Sequence, residues 1–287
     1  MKPFTIHSPL SQLLWLAFIF LMLLIISSGI TLVLPLFGVD IMQVSVQVAL
    51  QGVTQMLTFF LAPVLFVQFF QEEKWDYFHF YCNGNAWKRG GVAIVMILLL
   101  IPLNDWLAVW NMGWNLGGGA FESACRHLTE LSENLMEQIL SQKGVGALII
   151  NIIVIALIPA VSEELFFRGT IQRILQRAFK GNAHWAILVT ALIFSLAHGD
   201  VFGFVPRVFL GIVLGYLFFY SGSLLVNVCA HFANNALIVV LYYAYGQGQI
   251  GIDVTEPIKA SCLLTICCTI GAVLLFGVYI LKKKKIE

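Results

Sequence analysis

Residues 147–161 read ALIINIIVIALIPAV, and residues 162–169 that follow read SEELFFRG. With its flanks the run extends over Val145–Phe167, long enough for the roughly 20 apolar residues a membrane-crossing helix needs. It closes on two adjacent carboxylates, Glu163 and Glu164, and one guanidinium, Arg168. An ionisable group at membrane depth costs at least about 2.5 kcal/mol on the insertion scale, so such residues mark a functional site by default. Glu164 and Arg168 stand one helical turn apart and can pair on one face. Glu163 then points about 100° around the helix and is left for other work.

The surrounding chain reads the same way. Hydrophobic residues make up 60% of the 287 positions and charged residues 11%, against about 25% charge in soluble domains. Further apolar runs cover Leu13–Leu34, Val48–Phe70, Gly91–Met112, His184–His198, Phe204–Tyr220, Leu224–Tyr245 and Ser261–Leu281. The expectation is an all-α, polytopic transmembrane bundle of about eight helices, with the fifth and sixth short enough to tilt or span incompletely. The first run is longer than a signal-peptide core and lacks a small-residue cleavage site, so it is expected as a retained helix. Between the third and fourth runs, Phe121–Leu140 has the pattern of an interfacial amphipathic helix. Residues 1–143 are expected as N-terminal helices with this periplasmic-side loop. Residues 144–287 are expected as the catalytic core with a C-terminal helix and basic tail, the whole forming one integrated membrane domain. The six cysteines show no metal spacing.

Lysine and arginine set the orientation. The Lys282–Lys285 run, Lys74, Lys88 and Arg89, and Arg173, Arg177 and Lys180 fall at one end of the predicted bundle, while Glu122, Glu130, Glu133 and Glu137 fall at the other. Both termini are therefore expected in the cytoplasm of a multi-pass cell-membrane protein, bacterial in type, with Glu163 near the cytoplasmic end of its helix. The formal charge of +1 gives no reason to expect a nucleic-acid partner. Membrane lipid and a peptide or membrane-protein substrate are the expected partners, and the sequence leaves oligomeric state open.

Two later runs add histidines. One ends in Phe194-Ser195-Leu196-Ala197-His198, and another contains His231 with Asn235 one turn on and Asn227 one turn back. A lone histidine in an apolar run is usually a satisfied packing residue. A carboxylate pair with arginine, a histidine, and a His/Asn pair on successive membrane helices are hard to explain as packing, because every polar group must be satisfied inside lipid. A desolvated carboxylate is a general base for water, and a neutral imidazole can help orient that water. A neighbouring His and Asn can donate to a developing oxyanion.

These residues resemble a family. Glu163-Glu164-x-x-x-Arg168, Phe194-x-x-x-His198 and His231-x-x-x-Asn235, in that order, look like the three motifs of the type II CAAX prenyl endopeptidase and bacteriocin-processing (Abi, CPBP) glutamate intramembrane proteases. The resemblance spans about residues 144–245 and places the catalytic core on the fourth, fifth and seventh spans. It implies that Glu163 and His198 activate water, that His231 and Asn235 stabilise the oxyanion, and that Glu164 with Arg168 plays a supporting role. It also implies a cavity open toward the cytoplasm and lateral lipid, and no required cofactor. Two histidines and a carboxylate also make a familiar zinc set, so zinc on Glu163, His198 and His231 stays open.

Other motifs carry less. Gly246–Gly251 spells GxGxxG but follows a membrane helix and opens no βαβ unit. Gly211 and Gly215 read as a close helix contact, and Asn104, Asp105 and Arg207 as structural pairs or cavity lining. HExxH and the serine and aspartyl intramembrane-protease signatures are absent. The leading expectation is thus an intramembrane endopeptidase acting near the membrane surface on a CAAX-type, leader or small membrane-protein substrate. A non-catalytic immunity factor or regulatory scaffold of the same fold is the alternative. A proton-coupled transporter is disfavoured by the lack of an inverted repeat.

Overall fold

Two prolines shape the helices that meet at the motif. A proline lacks the N–H its helix needs, and its ring crowds the carbonyl four residues back. A widened π turn relieves that crowding. In the computed structural model, π turns cover Met56–Leu61 just before Ala62-Pro63, and Ile152–Leu157 just before Ile158-Pro159. A third π segment, Glu164–Gln172, carries the motif itself.

The structure describes residues 8–72, 74–251, 254 and 260–283, and among them every regular element is helical. The chain runs through α1 (Pro9–Phe37), α2 (Val44–Phe70), α3 (Gly84–Met112), α4 (Ala120–Leu140), α5 (Val145–Ala178), α6 (Ala183–Leu196), α7 (Phe204–Ser221), α8 (Leu224–Gly246) and α9 (Cys262–Lys283). All but α4 and α6 are long and apolar enough to cross a membrane, so this is a multi-pass membrane protein. Helix α6 has 14 residues, a reach of about 21 Å at 1.5 Å per residue, short of the roughly 30 Å hydrocarbon core. The expected short pair thus reduces to one member, because α7 with 18 residues is long enough. The interfacial helix expected over Phe121–Leu140 is present as α4. The basic run Lys282–Lys285 lies largely outside the described residues.

Helix α8 is central, with Val226, Asn227, Ala230 and His231 buried where it packs on α3 and α5. Helices α1 and α9 are peripheral and turn Leu14, Phe18, Ile25, Leu263, Val273 and Leu274 outward, as lipid-facing surfaces do. Helix α7 closes on α6 through the two glycines. A Cβ on Gly211 would come within 2.9 Å of the Ala191 Cβ, and one on Gly215 within 2.7 Å of the Ile187 side chain. Only glycine permits that approach.

The two ends of the bundle are tied differently. At one end the Arg177 Nη2 donates to Gln12 Oε1 at 2.7 Å and to the Tyr77 hydroxyl at 3.0 Å, and Arg89 donates to the Ser221 carbonyl at 3.3 Å. This end holds the C-termini of α2, α5 and α7 and the start of α3, α6 and α8. At the other end, Asn111 donates to the Val201 carbonyl at 3.1 Å and accepts from the Val205 N–H at 2.8 Å, anchoring the α6–α7 turn. Helix α4 lies at that second end. The buried Asn151 amide donates to the Ile139 carbonyl at 2.8 Å, capping the C-terminal turn of α4, and Ile139 and Leu140 are buried against the bundle.

Candidate active site

Glu163 and Glu164 are neighbours in sequence with opposite surroundings. Glu164 is fully buried and has a full complement of partners: Arg168 Nη1 donates to Oε1 at 2.7 Å, Asn227 Nδ2 to Oε2 at 3.1 Å, and His231 Nδ1 lies 2.9 Å from Oε1. Arg168, also fully buried, donates onward to the Gly211 carbonyl at 3.2 Å and stacks its guanidinium 4.7 Å from the centre of the Phe194 ring. Asn227 donates to the Leu214 carbonyl at 2.6 Å, and Gln172 to the Gly215 carbonyl at 3.1 Å. The small residues that let α7 approach α6 thus also offer their carbonyls to α5. A buried ion pair is tolerated when hydrogen bonds satisfy its charges; here both Glu164 oxygens and both terminal nitrogens of Arg168 are bonded, and the Arg168 Nε is left without a partner.

Glu163 faces a cavity of about 360 Å³ lined also by Gln51, Gln55, Phe59, Met136, Leu140, Ile155, Pro159, Ala197, His198, His231, Asn235 and Ile238. Gln55 Nε2 donates to Glu163 Oε1 at 2.6 Å, and His231 Nε2 stands 3.8 Å from Glu163 Oε2. Because a carboxylate and a carbonyl only accept, the short contacts fix which nitrogen of each imidazole carries a proton. His231 Nδ1 faces Glu164, and His198 Nδ1 faces the Phe194 carbonyl at 2.8 Å. With the proton on Nδ1, each ring in its neutral form keeps its Nε2 lone pair. Phe194 links the parts, with its ring 4.9 Å from that of His198 and 6.1 Å from that of His231.

The structure brings Glu163, His198, His231 and Asn235 to one cavity, with Glu164 and Arg168 behind it. It also corrects one placement. Helix α5 runs on to Ala178, well beyond the expected end at Phe167, so Glu163 lies mid-helix rather than near an end. The reason is local: the π segment takes Arg168, Gly169 and Thr170 through without a break, and Thr170 returns its hydroxyl to the Leu165 carbonyl at 3.0 Å. The cavity wall climbs from Glu163 through Ile155, Gln51, Ile238 and Leu140, toward the end that carries α4. That end is the acidic one. Among the described residues no group of three or more His, Cys, Asp or Glu side chains is set to hold a metal ion, and the inner nitrogen of His231 is taken by Glu164.

A second cavity of about 510 Å³ shares Asn235 and Ile238 with the first and is lined by Asn104, Asp105, Glu133, Asp200 and Arg207 among others. Asp200 holds its turn by accepting from Arg207 Nη1 at 2.8 Å, the Thr129 hydroxyl at 2.8 Å and the Phe202 N–H at 3.0 Å. Burial pushes the Asp200 carboxyl up, but those donors outweigh it and hold it below its usual value. Burial, then Asp200 and Glu130, push Glu133 the other way.

Sequence reasoning missed Gln55. The available signal was the stripe Gln47, Gln51, Gln55 at four-residue spacing in an otherwise apolar helix. Phe194 was read only as a motif letter, and its part as a shared wall for Arg168, His198 and His231 needed the fold.

A membrane bundle with a paired, buried carboxylate and a second carboxylate facing two histidines defines a class of intramembrane site. Residues 145–237 match the family model described as Rce1-like, type II CAAX prenyl endopeptidase Rce1-like. The match covers the helices that hold Glu163, His198, His231 and Asn235, while α1 to α4 and α9 lie outside it. Neither the curated proteins nor the solved structures gave a match.

Proposed function

We propose that this protein is an intramembrane endopeptidase in which Glu163 activates water for attack on a peptide bond near the membrane surface. One observation carries the reading: Glu163, bonded to no lysine or arginine among the described residues, meets the open Nε2 of His231 at 3.8 Å in a cavity that His198 and Asn235 also line. Two acceptors facing across that gap need a proton between them, and a water supplies one to each. Glu163 takes a proton from the water as its oxygen bonds to the substrate carbonyl carbon. Asn235 donates to the oxyanion, and so does His231 when its Nε2 is protonated. The proton then passes to the leaving amine, and the C–N bond breaks. His198, its Nδ1 fixed on Phe194, orients the water. No step requires a metal.

The basic residues at the end opposite α4 support cytoplasmic termini in a bacterial-type cytoplasmic membrane. The cavity then faces the non-cytoplasmic side. That favours a leader peptide or small membrane protein presented there over a prenylated cytoplasmic tail. Cysteines placed at Gln51 or Met136 should react with a membrane-impermeant maleimide added to intact cells. Reaction only after lysis would reverse this assignment.

The activity test uses protein purified into lipid nanodiscs and two quenched fluorogenic peptides, one farnesylated at a CAAX end and one amphipathic and unprenylated. Wild type should cleave, Glu163→Gln should not, and EDTA should leave the rate unchanged. A rate lost to EDTA and restored by zinc would replace the metal-free mechanism. A protein acting by binding alone would retain its cellular phenotype in Glu163→Gln.

A further inference from the structure

Gln55 lies on α2, outside the protease-like segment, yet it makes the shortest polar contact to Glu163, 2.6 Å from Nε2 to Oε1. The other carboxylate oxygen, Oε2, is the one that faces His231. We infer that Gln55 is a positioning residue for Glu163, fixing the carboxylate so that Oε2 alone is presented to water. The inference rests on the endopeptidase reading for its kinetic consequence, but the contact can be tested without it.

The surroundings of Gln55 look built for aim. Its neighbour Thr54 bonds across to Ser27 of α1 at 2.6 Å, and Thr58, fully buried, returns its hydroxyl to the Thr54 carbonyl at 2.7 Å. One turn on, Phe59 packs edge-on to Phe166 at 5.3 Å and beside Phe167 at 5.7 Å, clasping α2 to α5 within four residues of Glu163. Gln55 is the last residue before the π turn that Pro63 imposes. Both long helices that carry Gln55 and Glu163 therefore hold a π turn and a proline near the contact. An amide in apolar surroundings is held by the partner it finds, and of its two ends only the NH2 can satisfy an ionised carboxylate. An uncharged donor suits the task, since a lysine or arginine there would form a second closed ion pair like that of Glu164 and leave no base.

Two measurements test this. The first is the rate at which dicyclohexylcarbodiimide modifies Glu163 in nanodiscs, followed by mass spectrometry at fixed pH, with Glu163→Gln as the blank. This reagent attacks carboxyls in apolar sites, and the Gln55 amide occupies Oε1, so Gln55→Met should speed labelling several-fold and Gln55→Asn should fall between. The second is turnover of whichever fluorogenic peptide the wild type cleaves. Gln55→Met should lower kcat at least tenfold with KM within twofold, the pattern of an interaction that matters in the transition state, and Gln55→Asn should recover part of it. A Gln55→Met protein with unchanged labelling and unchanged kcat overturns the inference. If labelling rises but Glu163→Gln still cleaves, the contact stands and the endopeptidase reading falls instead.

Discussion

On one turn of α5, two carboxylates face two kinds of space. Glu164 looks toward α7 and α8 into a dry network in which Arg168, Asn227 and His231 satisfy it. Glu163 looks toward α2 and α4 into a cavity, held by a single amide and standing off from the nearest imidazole by 3.8 Å. The same side chain is a structural anchor in the first setting and a chemical group in the second. What separates them is the count and charge of donors, and the fold sets that count through the helices it packs on each side of α5.

The comparison can be broken first on the dry side. Removing one partner of a buried, hydrogen-bonded ion pair costs about 3–5 kcal/mol because a charge is left uncompensated. Arg168→Leu should therefore sharply lower thermal stability in nanodiscs and reduce accumulation in the membrane, whatever substrate is used. Near wild-type melting would mean that the network carries little of the fold. On the wet side, Asn235→Leu should lower kcat by about 10²–10³-fold, the usual effect of removing one oxyanion donor, while the melting curve stays in place. A loss in KM alone would move Asn235 from the chemistry to substrate binding.

Gly215→Leu sharpens the boundary between the two sides. Its Cβ would fall within 2.7 Å of Ile187 and 3.2 Å of Gln172 Oε1, and overpacking of this kind costs about 1–3 kcal/mol. Melting should shift by less than in Arg168→Leu, with turnover falling only as the α6–α7 pair moves His198. The smallest effect belongs to α4. Glu122 accepts from the Gly118 N–H, is paired with Arg126, and accepts from the Leu116 N–H, and these hold its carboxyl below the ordinary 4.5. A depressed folded-state value contributes stability that is complete above the unfolded value and fades as pH falls through the folded one. Protection of the Leu116 and Gly118 amides, taken relative to intrinsic exchange, should therefore hold at pH 6 and be lost as the pH drops below about 4.5, and Glu122→Gln should flatten that loss.

Much of this was legible in the residues. Long apolar runs give membrane helices because backbone groups in lipid must bond within their own segment, and the order Glu163-Glu164, His198, His231, Asn235 named the cavity wall. The Glu164–Arg168 pair followed from four-residue spacing alone. The rest depended on what lies across from each residue. Spacing within α5 cannot say that Asn227 and His231 of α8 crowd onto Glu164, or that α2 brings Gln55 to Glu163. Nor does an apolar run that ends at Phe167 show that the helix continues, because Arg168 finds its partners inside the bundle rather than at the interface. The side of the membrane reached by the cavity likewise waits on where α4 folds back.

The central claim is the division of labour between adjacent carboxylates, and the direct measurement is turnover and melting of Glu163→Gln and Glu164→Gln side by side in nanodiscs. Glu163→Gln should lose at least about 10³-fold in kcat, within the range for a general base, and melt as wild type does. Glu164→Gln should melt distinctly lower. Equal melting losses, or cleavage by Glu163→Gln at the wild-type rate, would contradict the division.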